Sequence, residues 1–152
     1  MAPDLPPGVQ SVVTAVSSLF DALNTGLLIY HLVVPEETSS LTLVYANAVA
    51  SRYTGTDLDL LVGQTIDEAF PALRGTDLPQ TYADVSLGDP SVNLGSFEYE
   101  GDERVQRGYF AVKAFPMPER CVGVVFENIT LRKKIEQLLR RERNRRPPPE
   151  PG

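Results

Sequence analysis

Apolar positions recur first at helical spacing: Val9, Val12, Val13, Val16, Leu19, Phe20 and Leu23 form a stripe about four turns long. They predict a helix over 9–24, closed by Asn24-Thr25-Gly26. Leu27 to Val34 is too continuously apolar and too β-branched for a surface helix and predicts a central strand. Pro35 to Ser40 turns the chain, and Leu41 to Ala46 returns as the second strand of a hairpin. The pattern then shortens. Asn47 to Tyr53 is helical and stops at Thr54-Gly55. A second short helix begins at Thr56, whose spacing to Asp59 is that of a capping box, and ends at Gly63. Ile66 to Leu73 is a further brief helical turn. Thr76 or Asp77 caps a helix that carries Leu78, Tyr82 and Val85 on one face and stops at Gly88. Three strands follow as a meander, Val92 to Glu100, Val105 to Phe115 and Cys121 to Phe126, turning at Gly101-Asp102 and Pro116 to Glu119. Alternation puts Val122, Val124 and Phe126 on one face of the last strand.

Directly after that strand, Asn128 and Thr130 each carry a side-chain oxygen able to accept from the free N–H groups of a first helical turn. Leu131, Ile135, Leu138 and Leu139 then fall on one face of an amphipathic helix over 130–146. Residues 1–8 and the proline-rich end 147–152 read as disordered. A buried strand feeding a projecting helix through one capped junction is the geometry of a sensor, because distortion of the sheet is passed on mechanically.

The length of 152 residues holds one ordinary domain with end segments. No apolar stretch approaches the roughly 18 residues of a membrane span, and the first residues, with Asp4 among prolines, do not resemble a secretory leader. The expected compartment is the cytoplasm, without membrane association. One cysteine, Cys121, excludes an internal disulfide, and with one histidine, His31, it leaves no metal centre in prospect. Charge divides the chain: residues 1–129 hold 6 basic and 17 acidic side chains, whereas residues 130–152 hold 8 basic and 3 acidic. The acidic body argues against nucleic acid as the partner. The basic end reads first as a solvated helix terminus whose cations favour the helix dipole.

The element order, together with Val44-Tyr45-Ala46-Asn47 and Ala50, Tyr53-Thr54-Gly55, Leu61-Val62-Gly63 and Asn128-Ile129-Thr130 with Arg132-Lys133, resembles that of PAS domains over about residues 25–135. Where Asn128 stands, PAS domains usually place Asp; the capping role carries over. The resemblance implies an α+β fold, a PAS-like five-stranded antiparallel sheet with short helices on one face, flanked by N- and C-terminal amphipathic helices. The domain would span 25–129. It also implies a sensory or dimerisation module, as in bacterial sensor histidine kinases, binding a small molecule or a partner and reporting through the last helix. The apolar stripes of the two flanking helices point to a homodimer or a signalling-protein partner, and packing of those stripes on the domain's own sheet is the rival arrangement.

The resemblance also frames the candidate sites. Its flavin photoreceptors carry a reactive Cys in a motif like Gly-Arg-Asn-Cys, and Gly63-Gln64-Thr65-Ile66 stands there without a thiol. No covalent flavin is therefore expected, and Cys121 reads as a small apolar filler. Haem-binding relatives ligate iron from the helix that here spans Thr76 to Leu87, which has no His; His31 reads as a hydrogen-bonded structural histidine. The cofactor is left open. Tyr45, Phe70, Tyr82, Phe110, Val124 and Phe126 are the candidate pocket residues, with ordinary core as the alternative. Asn128, Thr130 and Arg132 form the candidate signal junction. No nucleophile and base pair is evident, so no catalytic residue is expected. The carboxylate pairs Glu36-Glu37, Asp57 with Asp59 and Asp67-Glu68 fall at turns and helix starts. A fragment of a sensor histidine kinase and a small pocket-bearing α+β isomerase or hydrolase are the alternatives.

Overall fold

The computed structural model describes residues 5–99 and 108–145, apart from the side chain of Phe97. The hairpin turn at Gly101-Asp102, the first residues and the proline-rich end lie outside them. Helix α1 (Pro7–Ala22) leads into strands β1 (Gly26–Leu32) and β2 (Leu41–Ala46). Helices α2 (Ala48–Thr54), α3 (Ile66–Ala69) and α4 (Leu78–Ser86) follow, with 3-10 turns at Leu58–Leu61 and Pro71–Leu73. Strands β3 (Val92–Tyr99), β4 (Gly108–Met117) and β5 (Cys121–Asn128) then run into helix α5 (Thr130–Arg145). The strands form one antiparallel sheet in the order β2-β1-β5-β4-β3. β5 is the middle strand, hydrogen-bonded on both sides, and α5 leaves directly from its end.

Parity along the strands divides the interior into two clusters. Leu28, Tyr30, Leu32, Val122, Val124, Phe126, Phe110, Val112 and Ala114 face the short helices and form the main core with Leu58, Ile66, Phe70, Leu73 and Tyr82. Leu27, Ile29, Val44 and Cys121 face the other way and are covered by Val9 and Val13 of α1. The stripe of α1 is thus spent on its own sheet at Val9 and Val13, although Leu19 and Leu23 stay exposed. Proline is tolerated in a first helical turn, and α1 accordingly starts at Pro7, two residues before the predicted boundary.

Several local signals resolve differently from the sequence reading. The predicted capping box from Thr56 does not form. Asp57 caps the 3-10 turn by accepting from Asp59 N–H at 3.1 Å, because an Asp at the third position is too short to reach back. The capping box is Thr65 with Glu68, whose carboxylate accepts from Thr65 N–H at 3.1 Å. Of the two proposed caps for α4, Thr76 accepts from Leu78 N–H at 3.3 Å, while Asp77 makes no side-chain cap.

Gly123, mid-β5 on the α1 side, lies beneath the ring of Phe115, and a Cβ there would lie 2.3 Å from that ring. Gly123→Ala is expected to cost about 1–3 kcal/mol by overpacking, read as a lower urea midpoint with an unchanged m-value. A neutral result would mean that the Phe115 ring moves aside freely.

Candidate functional site

The inner face of the sheet and the short helices enclose a cavity of about 50 Å³. It is lined by Leu28, Tyr30, Thr54, Phe70, Leu73, Tyr82, Tyr99, Phe110, Val112, Val124 and Phe126. Five of the six predicted pocket residues meet there: Phe70, Tyr82, Phe110, Val124 and Phe126. Tyr45 does not. β2 carries an extra residue at Val44, where the β1 register steps from Ile29 opposite Tyr45 to Tyr30 opposite Leu43. That bulge reverses parity and turns Tyr45 to the outer face, beneath α1 and near Ser17 and Asp21. Burial, and then the Asp21 charge, raises its hydroxyl pKa there.

The cavity wall is built of aromatic pairs. Phe126 meets Phe110 edge-on at 5.5 Å and Tyr53 at 6.3 Å, and Phe70 meets Tyr99 edge-on at 6.3 Å. Tyr30 stacks on Tyr82 at 5.7 Å with the ring planes 18° apart. Burial raises both hydroxyls well above the usual phenol range, so at neutral pH they are uncharged. Thr54 is already committed, donating to the Ala50 carbonyl at 2.9 Å. The wall therefore offers apolar surface with phenol groups, suited to excluding water and holding something small and uncharged.

The exit junction lies next to Phe126. Asn128 Oδ1 accepts from the N–H of Thr130 at 3.0 Å and from its hydroxyl at 2.6 Å, and Asn128 Nδ2 donates to the Tyr53 carbonyl at 3.4 Å. Asn128 is thus the residue that meets the first turn. Thr130 Oγ instead accepts from Tyr109 N–H at 3.0 Å, and Ile129 N–H donates to the Tyr109 carbonyl at 2.9 Å, so the start of α5 is fastened to β4. Arg132 points away from this cluster and lies 3.8 Å from Glu136 on its own helix.

The remaining candidates are placed clearly. Cys121 is fully buried on the outer face, away from the cavity. Burial pushes its thiol up to about 11, Glu119 adding to the shift and Arg120 opposing it. The folded state disfavours the thiolate, so the associated stability is complete below the ordinary thiol value of 9.0 and is lost as pH rises through about 11. Tyr30 and Tyr82 carry the same sign. Urea midpoints are expected to hold up to about pH 9 and fall above it, less steeply in Cys121→Ala; a midpoint rising with pH there would contradict this.

His31 is also on the outer face, beside Glu119 and Arg120, and its imidazole makes no hydrogen bond with a described residue, contrary to the sequence expectation. Burial and then Arg120 lower its pKa. Asp57 and Glu68 are engaged in caps, and Glu36 and Glu37 are exposed in their turn.

A flavin does not fit these residues. The thiol is on the wrong face, the end of β5 presents the apolar ring of Phe126 to the cavity, and about 50 Å³ is far below the 300–1,000 Å³ of ordinary ligand pockets. Haem has no histidine on α4 to meet it.

Leu28, Tyr30, Thr54, Leu73, Tyr99 and Val112 of the cavity wall, and one anchor, escaped the sequence reading. Tyr30 and Tyr99 share the parity of Leu28 and Gly108, the only sequence signal they carry. Asn47 is buried at the end of β2. Its Oδ1 accepts from Leu27 N–H at 3.0 Å and Ala50 N–H at 2.9 Å, and its Nδ2 donates to the Thr25 carbonyl at 3.0 Å.

No family model and no curated protein matches the sequence. Solved structures do match. An RNA-binding light-oxygen-voltage receptor superposes with a TM-score of 0.55 at 16% identity, covering 95% of this chain but only 43% of the receptor. The photoactive yellow protein domain of the sensor histidine kinase Ppr from Rhodospirillum centenum gives 0.52 at 13% identity, covering 78% of this chain and 99% of that one. A PAS domain from Colwellia psychrerythraea gives 0.54 at 10% identity, covering 79% and 98%. The chain has the PAS fold: five antiparallel strands, short helices over the inner face and a helix leaving the central strand.

Proposed function

We propose that this chain is a sensory or protein-interaction module of signal transduction, in which the state of the inner cavity is passed through β5 to α5. One observation carries the reading: Val124 and Phe126 line the cavity on the central strand, and two residues later Asn128 joins that strand, the α2 backbone and the first residue of α5. A shift of the Phe126 ring moves the strand end to which the helix is capped. Some of the matched structures belong to a light-oxygen-voltage receptor and a sensor histidine kinase, which supports a place in signalling.

Xenon enters dry apolar cavities and serves as a probe without a known ligand. Under xenon pressure, amide shifts are expected at Val124 and Phe126 and also at Thr130 and Lys133; in Asn128→Ala the helix amides should respond far less. Shifts confined to the cavity wall in both proteins would sink the proposed route.

A further inference from the structure

Helix α5 exposes its entire apolar stripe: Leu131 is 71% accessible, Ile135 49%, Leu138 61% and Leu139 56%. We infer that this face docks against an acidic amphipathic helix of another protein rather than against a second copy of itself. The inference rests on the reading of α5 as the output element, and the charge pattern of the helix identifies the occupant.

The spacing of Leu131, Ile135 and Leu138 fits a heptad in which they are d, a and d. The same register makes Glu142 the next a position and Arg145 the next d. A parallel self-pair would set Glu142 against Glu142 and Arg145 against Arg145 within the seam. The flanking e and g positions hold Arg132, Lys134, Leu139 and Arg141, three cations and no anion. Self-pairing would therefore bring no anion to the cations of either edge, and in parallel register Lys134 would face Leu139 of the other copy. Lys134 and Arg141 form no ion pair with any described residue, and Glu136, the one acid on the first two turns of the helix, lies 3.8 Å from both Arg132 and Lys133.

A helix with apolar a and d residues, Asp or Glu at e and g, and a cation opposite Glu142 meets all these demands. A lipid surface does not, because Glu142 sits in the middle of the apolar arc and an anionic bilayer would have to bury it.

The test uses the full chain and two synthetic helical peptides with leucine at a and d, one with glutamate and the other with lysine at e and g. Fluorescence anisotropy is expected to show the acidic peptide binding about tenfold or more tightly, with affinity falling as salt rises. Leu138→Ser should abolish that binding. The double variant Lys134→Glu, Arg141→Glu should transfer the preference to the basic peptide while circular dichroism stays unchanged.

Three results would overturn the inference: equal affinity for both peptides, a dimer in light scattering that Leu138→Ser dissolves, or Leu138-dependent sedimentation with phosphatidylserine vesicles. The peptide experiment needs no cavity ligand and the xenon experiment needs no partner. Failure of the docking surface is thereby separable from failure of the route that feeds it.

Discussion

Phe126→Ala is expected to lower the stability of the domain by about 3–5 kcal/mol, the range for removing a buried aromatic ring. Phe126 is buried, meets Phe110 and Tyr53 edge-on and covers Gly26, where a Cβ would lie 2.8 Å from the ring. The ring thus holds the start of β1, the end of β5 and α2 at one point, and little around it can collapse into the space. Added to the existing void of about 50 Å³, the lost ring brings the cavity toward the roughly 150 Å³ of voids that stay dry and bind benzene. Benzene should therefore raise the melting temperature of Phe126→Ala and leave the parent chain unchanged. Denaturant melts showing a loss below about 1 kcal/mol, or benzene acting equally on both proteins, would mean that the ring is not a wall of the cavity.

The strands were legible because period-two alternation and turn residues agree along most of the chain. Val122, Val124 and Phe126 face inward as alternation requires, and α4 begins and stops where its cap residues and Gly88 indicate. The errors arose where one local rule met a second that the pattern hides. Tyr45 has the parity of Leu43, and only the pairing of β1 with β2 reveals the extra residue at Val44 that reverses it. A second case was written in the chain: Thr65-Ile66-Asp67-Glu68 is a full capping box, whereas Thr56 to Asp59 ends in a side chain one methylene shorter. Which of two amphipathic helices would bury its stripe could not be read from either stripe. It depends on how each helix meets the outer face of the sheet: α1 lays Val9 and Val13 on it, whereas α5 lies beside Glu98 and Tyr109 with Lys133, Glu136 and Arg140 and leaves its leucines outward.

The cavity and the helix are connected through few groups. The α2 backbone receives Asn128 at Tyr53 and places the Tyr53 ring against Phe126. β4 contributes Phe110 inward and, one residue earlier, the Tyr109 backbone that holds Ile129 and Thr130. On the reading proposed above, motion of either aromatic ring would act on a backbone segment bonded to the root of α5. Arg132 lies 3.8 Å from Glu136 on the helix itself.

Asn47→Ala should produce the other large loss, about 2–4 kcal/mol, through hydrogen bonds and not through volume. The side chain closes three bonds between segments distant in sequence, to Leu27, Ala50 and Thr25, while its own backbone N–H donates to the Leu27 carbonyl at 3.0 Å. Alanine leaves the N–H groups of Leu27 and Ala50 without their acceptor in a region that water does not reach, and each orphaned group costs about 1–3 kcal/mol. Asn47→Ser separates the components: a serine hydroxyl can cap α2 at Ala50 but is too short to span to Thr25 as well. The serine variant should therefore recover about 1 kcal/mol of the alanine loss and no more. Hydrogen exchange should show the Leu27 amide opening in both variants and the Ala50 amide protected only in the serine one. Full recovery by serine would reduce Asn47 to a helix cap. Partial recovery means that it also pins β1 to β2 beside Gly26, the position against which the Phe126 ring rests.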